Sequence, residues 1–153
     1  MIDRYRLEPM TTLWSDEARL QRWVEVERAI ADAQAEAGVV PAEAAEILAA
    51  TAPPTQEQVA AAEQVRDHEI LSFLDAWTSS MPPLGRRWVH HGITSYDVVD
   101  TALAMALRDA TTLVLRATAD LQRRLLDLAH RHQETECIGR THGMHAEPTT
   151  FGR

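Results

Sequence analysis

The sequence of 153 residues contains a single cysteine, Cys137, which excludes a disulfide within the chain and fits a reducing compartment. It contains no lysine and no asparagine, so all fifteen basic residues are arginines. Without lysine, these residues cannot form a Schiff base or a Walker-type phosphate loop. No run approaches the ~18 apolar residues of a membrane span, and the charged start lacks the apolar stretch of a signal peptide. We therefore expect a cytoplasmic protein with no membrane partner.

Aromatic residues make up only 5% of the chain, whereas hydrophobic residues reach 45% and are mostly alanine and leucine. This composition favours helices, and the length is sufficient for one domain with a real core. The net charge of −8 makes a nucleic acid an unsuitable partner. The sequence therefore predicts an all-α protein that binds something other than nucleic acid.

Capping signals divide the first half of the chain into helices. Ser15 is a good N-cap for a helix that ends at Gly38, and Pro41 suits the first position of a short second helix. Thr55 and Gln58 have the spacing of a capping box and open a third helix. A loop is expected over residues 79–85, whose composition is typical of loops.

From Ile93 to Ile138 the chain has no glycine or proline, and apolar residues recur at spacings of three and four. This pattern predicts one helix of ~40 residues, about 60 Å long at 1.5 Å per residue. A helix of that length requires long neighbours, which other subunits or a longer protein would supply. We therefore expect an N-terminal helical domain over 1–93 and the start of a long-helix bundle domain over 94–153.

Two polar groups interrupt the first domain. Arg4 and Tyr5, in a start predicted to be irregular, suit a phosphate and a stacked base, although a solvated tail is the simpler interpretation. His68 and Glu69 lie in the charged stretch 66–69 of the third helix. A histidine flanked by acids can donate a proton, but a surface charge cluster would look the same.

Two further groups flank the long helix. Thr94 and Ser95 precede it, with Asp97 at capping-box spacing, so their helix N-terminus can bind a carboxylate or phosphate or can simply be capped. Thr141 and His142 lie between two glycines, in a predicted turn that follows the helix. A hydroxyl and an imidazole there suit proton transfer to an anionic substrate, whereas the alternative is a turn that faces water.

A zinc site is a competing hypothesis, because five side chains of suitable type occur and two histidines three residues apart can share a helix face. Their spacing matches no standard closed site; the residues are His90, His91, His142, His145 and Glu147. A second alternative is a helical module that only oligomerises. Bundle packing, however, does not require the Thr-Ser and Thr-His pairs.

Taken together, the polar segments that interrupt or flank the predicted helices resemble those of a known family. Residues 88–103 read WVHHGITSYDVVDTAL and are similar to the first motif block of adenylosuccinate lyases. Residues 139–152 read GRTHGMHAEPTTFG and resemble their second block. The start, with Arg4-Tyr5 and Trp14-Ser15-Asp16-Glu17, also resembles theirs. The resemblance covers essentially the whole chain, and related lyases of the fumarase/aspartase superfamily share only the Thr-Ser and Thr-His pairs.

The resemblance implies a fold of the fumarase/aspartase type, with a central bundle of long helices. It implies cleavage of adenylosuccinate to AMP and fumarate, and the same elimination on the succinylated aminoimidazole carboxamide ribotide of purine biosynthesis. No metal and no organic cofactor is implied. The implied partners are the nucleotide substrate and three further copies of the chain, in a homotetramer whose active sites are shared between subunits.

The resemblance also assigns roles to individual residues. His142 is implied to be the catalytic proton donor to the leaving nitrogen, and His68 a second catalytic residue that contacts substrate near the phosphate. The other implied residues bind substrate: Arg4 and Tyr5 at the phosphate, Thr94 and Ser95 at the succinyl carboxylate, and Glu69, His90 and Thr141.

This chain departs from the family pattern in three places. Asp67-His68-Glu69 replaces a usual Arg-His-Asp, which weakens any phosphate contact from position 67, and His91 stands where an aromatic residue is common. The family's catalytic serine lies on a loop reading Ser-Ser-x-Met-Pro-x-Lys, of which residues 79–82 are only a partial and misplaced imitation. The sequence is therefore expected to be the N-terminal portion of such a lyase and to be inactive alone. Argininosuccinate cleavage and carboxymuconate cyclisation are the alternative reactions.

Overall fold

The computed structural model describes residues 2–153, apart from the side chain of Asp3. Helices dominate, and a two-stranded sheet lies near the C-terminal end. The predicted all-α class is confirmed. The chain divides into two compact units, Met1–Ala110 and Thr111–Arg153, which are called unit 1 and unit 2. The domain boundary expected at residue 93 stays a prediction.

Unit 1 begins with short elements. A 3₁₀ turn spans Asp3–Tyr5, and the four-residue helix α1 spans Met10–Leu13. The expectation of an irregular start was therefore wrong for these two segments. Glu8, which precedes α1, accepts hydrogen bonds through its carboxylate from the backbone N–H and the hydroxyl of Thr12, at 3.2 and 2.6 Å.

The first long helix, α2, spans Asp16–Glu36 and is capped as predicted. The Ser15 hydroxyl accepts the Ala18 N–H at 3.1 Å, and two acids in the first turn complement the helix dipole. Gly38 follows at a φ of +73°. The next helix, α3, spans Ala42–Ala50, with Pro41 as its N-cap residue rather than its first residue as predicted.

The predicted third helix is two helices. α4 spans Gln56–Arg66, and its capping box between Thr55 and Gln58 is confirmed. Asp67 then adopts the left-handed conformation at a φ of 49°, and α5 spans Glu69–Thr78. The charged stretch 66–69 is therefore a helix break and not an interruption of one helical face. A shorter loop than expected follows, because α6 spans Pro83–Trp88.

Helix α7 spans Ser95–Arg131, so the predicted long helix is confirmed at 37 residues.

The core of unit 1 lies where α2, α3, α5 and the start of α7 meet. Trp23, on α2, is only 2% exposed. The fully buried side chains include Val24, Leu48, Phe73, Trp77 and Val98.

Unit 2 consists of the C-terminal part of α7 and a β-hairpin. Strand β1 spans Glu136–Thr141 and pairs antiparallel with β2, which spans Met144–Thr150. The Phe151 N–H donates to the Thr135 carbonyl at 2.8 Å, and the Gly152 N–H donates to the His132 carbonyl at 2.9 Å. These bonds attach the end of the hairpin to the chain that follows α7. The hairpin was not predicted.

None of the helices described for residues 2–153 is both long enough and apolar enough to cross a bilayer.

Candidate active site

His68 lies at the break between α4 and α5, where it serves as the N-cap of α5. Its Nδ1 accepts the Leu71 N–H at 3.4 Å, and its own carbonyl accepts the Ser72 hydroxyl at 2.8 Å. Because Nδ1 is the acceptor, a neutral ring carries its proton on Nε2. The ring is exposed. The structure therefore presents an Nε2–H donor at the surface of unit 1.

Glu69 is the first residue of α5, and its carboxylate pairs with the Arg19 guanidinium. Arg19 also contacts Asp16 at 3.3 Å and lies over the Trp23 ring, 5.0 Å from its centroid. A cavity of about 210 Å³ adjoins this pair. Its lining includes Trp14, Arg22 and Leu103. Glu69 therefore belongs to the wall of a pocket within unit 1.

Arg66 does not contribute a free guanidinium to this region. Its Nε donates to Oδ2 of Asp75 at 2.5 Å, and its Nη2 donates to Oδ1 of the same carboxylate at 3.1 Å. The hydrogen bond to Asp75, together with its charge, raises the pKa of Arg66. Arg66, which precedes Asp67, thus pairs with α5 through both atoms of its guanidinium that donate to Asp75.

His90 follows α6 and adopts the left-handed conformation at a φ of 58°. Its backbone N–H donates to Oε2 of Glu27 at 3.0 Å, and its Nδ1 lies 2.6 Å from Oε1 of the same carboxylate. Glu27 is only 1% exposed, and this burial raises its pKa, against the opposing effect of the bonds to His90. A buried acid on α2 therefore fixes both the backbone and the ring of His90.

Glu27 was not among the residues predicted for the site. It was detectable, because it falls on the apolar stripe of α2 at helical spacing from two core residues, Trp23 and Ala31. A charged residue at such a position requires a buried partner. The identity of that partner, 63 positions along the chain, was not available from the spacing.

Thr94 and Ser95 stand at the start of α7, as predicted. The Asp97 carboxylate accepts the Thr94 N–H at 2.8 Å, which is one half of the expected capping box. Thr94 is exposed and Ser95 is half-buried. Because Asp97 already satisfies the Thr94 N–H, an anion at this helix start would use the two hydroxyls and the other N–H groups of the first turn.

Thr141 and His142 lie at the tip of the hairpin in unit 2. Thr141 pairs with Met144 in the sheet, so His142 and Gly143 form a two-residue turn with φ values of 51° and 74°. Positive φ at both positions is the type I′ geometry that suits the twist of two paired strands. Both predicted residues are exposed, and the short turn holds the His142 imidazole at the apex of a paired ribbon.

Arg4 and Tyr5 lie on the 3₁₀ turn, and both are exposed. The Arg4 guanidinium is 5.4 Å from the centroid of the Tyr5 ring. This cation–π contact keeps the positive charge and the aromatic face together, in the combination that was predicted to suit a phosphate beside a base.

Seven of the predicted site residues lie in unit 1, and Thr141 and His142 lie in unit 2. Within the described residues, the cation–π contact joins two members of the set, Arg4 and Tyr5, whereas Glu69, His90, His68 and Thr94 contact Arg19, Glu27, Leu71 and Asp97 respectively, which lie outside the set. The roles assigned to these residues stay predictions.

The zinc hypothesis assumed that two of the histidines share a helix face, and the structure does not have that geometry. His142 and His145 lie on a hairpin, so the expectation that they share a helix face was wrong. Across the described part of the chain, no three His, Cys, Asp or Glu side chains come close enough to hold a metal ion. Cys137, the single cysteine, is half-buried on β1.

Comparison with known proteins identifies relatives along the whole chain. A family model described as "Lyase" matches residues 4–153. The adenylosuccinate lyase of Bacillus subtilis (strain 168) is 40% identical over 152 residues, which are 99% of this chain and 35% of that protein. This chain thus spans about a third of the length of the curated relatives it matches.

Solved structures agree in fold. A fumarate lyase from Mesorhizobium sp. BNC1 superimposes with a TM-score of 0.83 at 33% identity, over 94% of this chain and 34% of that one. The 3-carboxy-cis,cis-muconate lactonizing enzyme from Pseudomonas putida gives a TM-score of 0.84, with the same identity and coverage. These findings confirm the resemblance to adenylosuccinate lyases that the two motif blocks indicated, and the chain belongs to the lyase family whose model matches its residues 4–153.

Proposed function

We propose that this chain forms the N-terminal part of a cytoplasmic adenylosuccinate lyase. The enzyme eliminates fumarate from adenylosuccinate, which leaves AMP, and from the succinylated aminoimidazole carboxamide ribotide of purine biosynthesis. The observation that carries this proposal is the 40% identity to an adenylosuccinate lyase over 99% of the chain, with both motif blocks inside the aligned region. No metal and no organic cofactor takes part.

His142 is the proposed general acid. Cleavage of a C–N bond requires a proton for the leaving nitrogen, a base for the carbon proton and fixed groups for the charge that develops on the carboxylate. The I′ turn supports this role, because it leaves the His142 imidazole exposed at the hairpin tip with little backbone freedom. Thr141, which precedes it, offers a hydroxyl to the same substrate.

The remaining residues bind substrate. Thr94 and Ser95 bind the succinyl carboxylate at the start of α7. Arg4 and Tyr5 bind the phosphate of the nucleotide substrate. His68 contacts the substrate near the phosphate through its exposed Nε2–H and is the second catalytic residue. Glu69 and His90 complete the proposed binding set, each fixed by a partner on α2.

Partner subunits complete the active site in this proposal, within a homotetramer. The support is the large apolar area that α7 leaves exposed: its side chains, from 42% to 64% exposed, are Leu103, Leu107, Val114, Leu115, Leu121, Leu125, Leu126 and Leu128. Contiguous apolar surface of this extent on one helix is typical of association with another protein surface. For the 153-residue polypeptide alone we expect no turnover, since the sequence contains no Ser-Ser-x-Met-Pro-x-Lys loop.

A chimera tests the proposal. The 152 matched residues of the Bacillus subtilis adenylosuccinate lyase are replaced by this chain, assembly is checked by light scattering, and cleavage of adenylosuccinate is followed by absorbance. We expect turnover, and a loss of about 10²- to 10⁴-fold in kcat for His142→Ala, the usual contribution of a general acid.

The matched control is His130→Ala, which removes an exposed histidine from α7 in the same unit and should leave kcat unchanged. A chimera that assembles like its parent but leaves adenylosuccinate intact would overturn the proposal. Cyclisation of carboxymuconate by that chimera would instead support the reaction named for the Pseudomonas putida relative.

A further inference from the structure

Glu27 lies among apolar side chains in the middle of α2. It is 1% exposed, and its helix neighbours Trp23, Val24 and Ala31 are all buried core residues. Burial of a carboxylate costs several kcal/mol unless hydrogen bonds or a charge compensate for its lost hydration. A glutamate at this position therefore has a role that an apolar side chain could not have.

Both oxygens of this carboxylate contact one residue, His90. Oε2 accepts the His90 backbone N–H at 3.0 Å, and Oε1 lies 2.6 Å from Nδ1. The backbone N–H can only donate, so Oε2 is an acceptor. At 2.6 Å one proton lies between Oε1 and Nδ1, because two facing lone pairs would repel each other, and we assign it to the nitrogen, which leaves Glu27 as the acceptor through both oxygens. The pair is therefore Nδ1–H donating to a carboxylate.

This arrangement determines what the rest of the ring can do. The side chain of His90 is 18% exposed, and Nδ1 is the nitrogen turned toward Glu27. Nε2 is thus the nitrogen available to a ligand. In the neutral ring with Nδ1 protonated, Nε2 carries a lone pair and accepts a hydrogen bond.

We propose that Glu27 is a positioning residue that holds the His90 ring in its Nδ1–H form, so that Nε2 accepts a hydrogen bond from a hydroxyl or amino group of the nucleotide substrate. The inference rests on the proposed function for the identity of the ligand, but the ring state itself is independent of it. Glu27 acts through His90 and does not contact the substrate.

The variant Glu27→Gln separates this role from packing. Glutamine has the same shape, but only one of its two terminal atoms accepts. Its carbonyl oxygen must face the His90 backbone N–H, which places the amide –NH₂ against Nδ1. Nδ1 then has to accept, and the ring proton moves to Nε2. The substitution therefore exchanges the acceptor at Nε2 for a donor, while both hydrogen bonds to residue 27 remain.

The first measurement is made on the 153-residue protein by ¹⁵N NMR of the imidazole rings, with His90→Asn used to assign the His90 signals. Asparagine tolerates the positive φ at this position. We expect Nδ1 to be protonated in the wild type and unprotonated in Glu27→Gln. Glu25→Gln, the same substitution at an exposed site on the same helix, should leave the signals unchanged. An Nε2–H tautomer in the wild type, or no change in Glu27→Gln, would overturn the inference.

The second measurement is steady-state kinetics of the chimera. Loss of one neutral hydrogen bond to the ligand should raise KM about tenfold in Glu27→Gln, with little change in kcat, whereas Glu25→Gln keeps both constants. If the chimera is active and His90→Asn impairs it, but Glu27→Gln leaves KM unchanged, the inference fails and the proposed function stands. If the assembled chimera is inactive, the proposed function fails, and the NMR result alone decides the state of the ring.

Discussion

The ring of Phe73 meets the indole of Trp23 edge-on, with centroids 5.2 Å apart and an angle of 72° between the planes. Phe73 also stacks on Trp77, with centroids 5.9 Å apart and an angle of 16° between the planes. These rings come from α2 and α5, so one phenylalanine joins the two helices that carry Glu27 and His68. Edge-to-face and offset-stacked pairs of this kind stabilise a core beyond their buried area.

Phe73→Ala should lower the free energy of unfolding of unit 1 by about 3–5 kcal/mol, because the side chain is fully buried and leaves a cavity between two indoles. Urea unfolding followed by tryptophan fluorescence measures this change in the free energy of unfolding, since all four tryptophans lie in unit 1. Val65→Ala, at a side chain that is 86% exposed, is the control and should change stability by less than about 0.5 kcal/mol. Equal effects of the two variants would contradict the assigned core.

The buried carboxyl group of Glu27 should make the folding stability of the protein depend on pH. Burial raises its pKa in the folded protein above the ordinary value of 4.5, so the native state binds this proton more tightly than the unfolded state does. The stability that Glu27 contributes is therefore fully present below pH 4.5 and is lost as the pH rises through the folded pKa. Relative to Glu27→Gln, the wild type should become less stable as the pH is raised.

Urea titrations at a series of pH values from 4.5 upward, with tryptophan fluorescence as the probe, measure this difference. Glu25→Gln again serves as the control, and its difference from the wild type should show no such trend. A wild type that gains stability over Glu27→Gln with rising pH would mean that the hydrogen bonds to His90, and not burial, dominate the pKa of Glu27.

His68 has two separable roles, as the N-cap of α5 and as a proposed substrate contact. His68→Asn should preserve stability within about 0.5 kcal/mol, because asparagine is among the best N-cap residues. The same variant should lower the kcat/KM of the chimera about tenfold or more, because asparagine does not reach as far as Nε2. His68→Ala should lose both the N-cap and the substrate contact, and its free energy of unfolding should fall by about 1 kcal/mol. Full activity in His68→Asn would exclude a role for the ring beyond capping.

Gly152 is required by the close contact between the hairpin end and α7. A Cβ at this position would lie 2.2 Å from the Ala129 carbonyl oxygen and 2.7 Å from the Gln133 nitrogen, which are both backbone atoms. Gly152→Ala should therefore break the hydrogen bond from residue 152 to His132 and accelerate hydrogen exchange at residues 151 and 152.

Gly139→Ala is the comparison within the same hairpin, because its new Cβ would lie 3.3 Å from the Glu147 carbonyl oxygen, a tight contact that requires a shift of only a few tenths of an ångström. Exchange at residues 151 and 152 should stay near the wild-type rate in that variant. Unchanged protection in Gly152→Ala would show that the hairpin end does not depend on this contact.

The helices were predictable where the sequence carries a local capping signal. Ser15, and Thr55 with Gln58, fix the starts of α2 and α4 through bonds that span three residues, and such bonds can be deduced from a single sequence. The break between α4 and α5 was missed because Asp67, not glycine, adopts the left-handed conformation there. Nothing in the local pattern distinguishes that aspartate from its acidic neighbours.

The hairpin was missed for a different reason. Its strands read ECIGRT and MHAEPTT, which lack the alternation of apolar and polar residues by which a strand is detected. The predicted turn between Gly139 and Gly143 was confirmed only at His142 and Gly143, because Thr141, which was expected in the turn, pairs with Met144 in the sheet. What could not be predicted is that backbone pairing extends from this turn in both directions, since that pairing depends on the partner strand.

The 63-residue separation between Glu27 and His90 also bears on the order of folding. The hairpin and its attachment to α7 involve residues that are near one another in sequence, so unit 2 can form through small loops with low closure entropy. The Glu27–His90 contact, in contrast, closes the chain over α3, α4, α5 and α6. We therefore expect the ring of His90 to be fixed late, after the intervening helices have packed, and substitutions at this contact to accelerate unfolding more than they slow refolding.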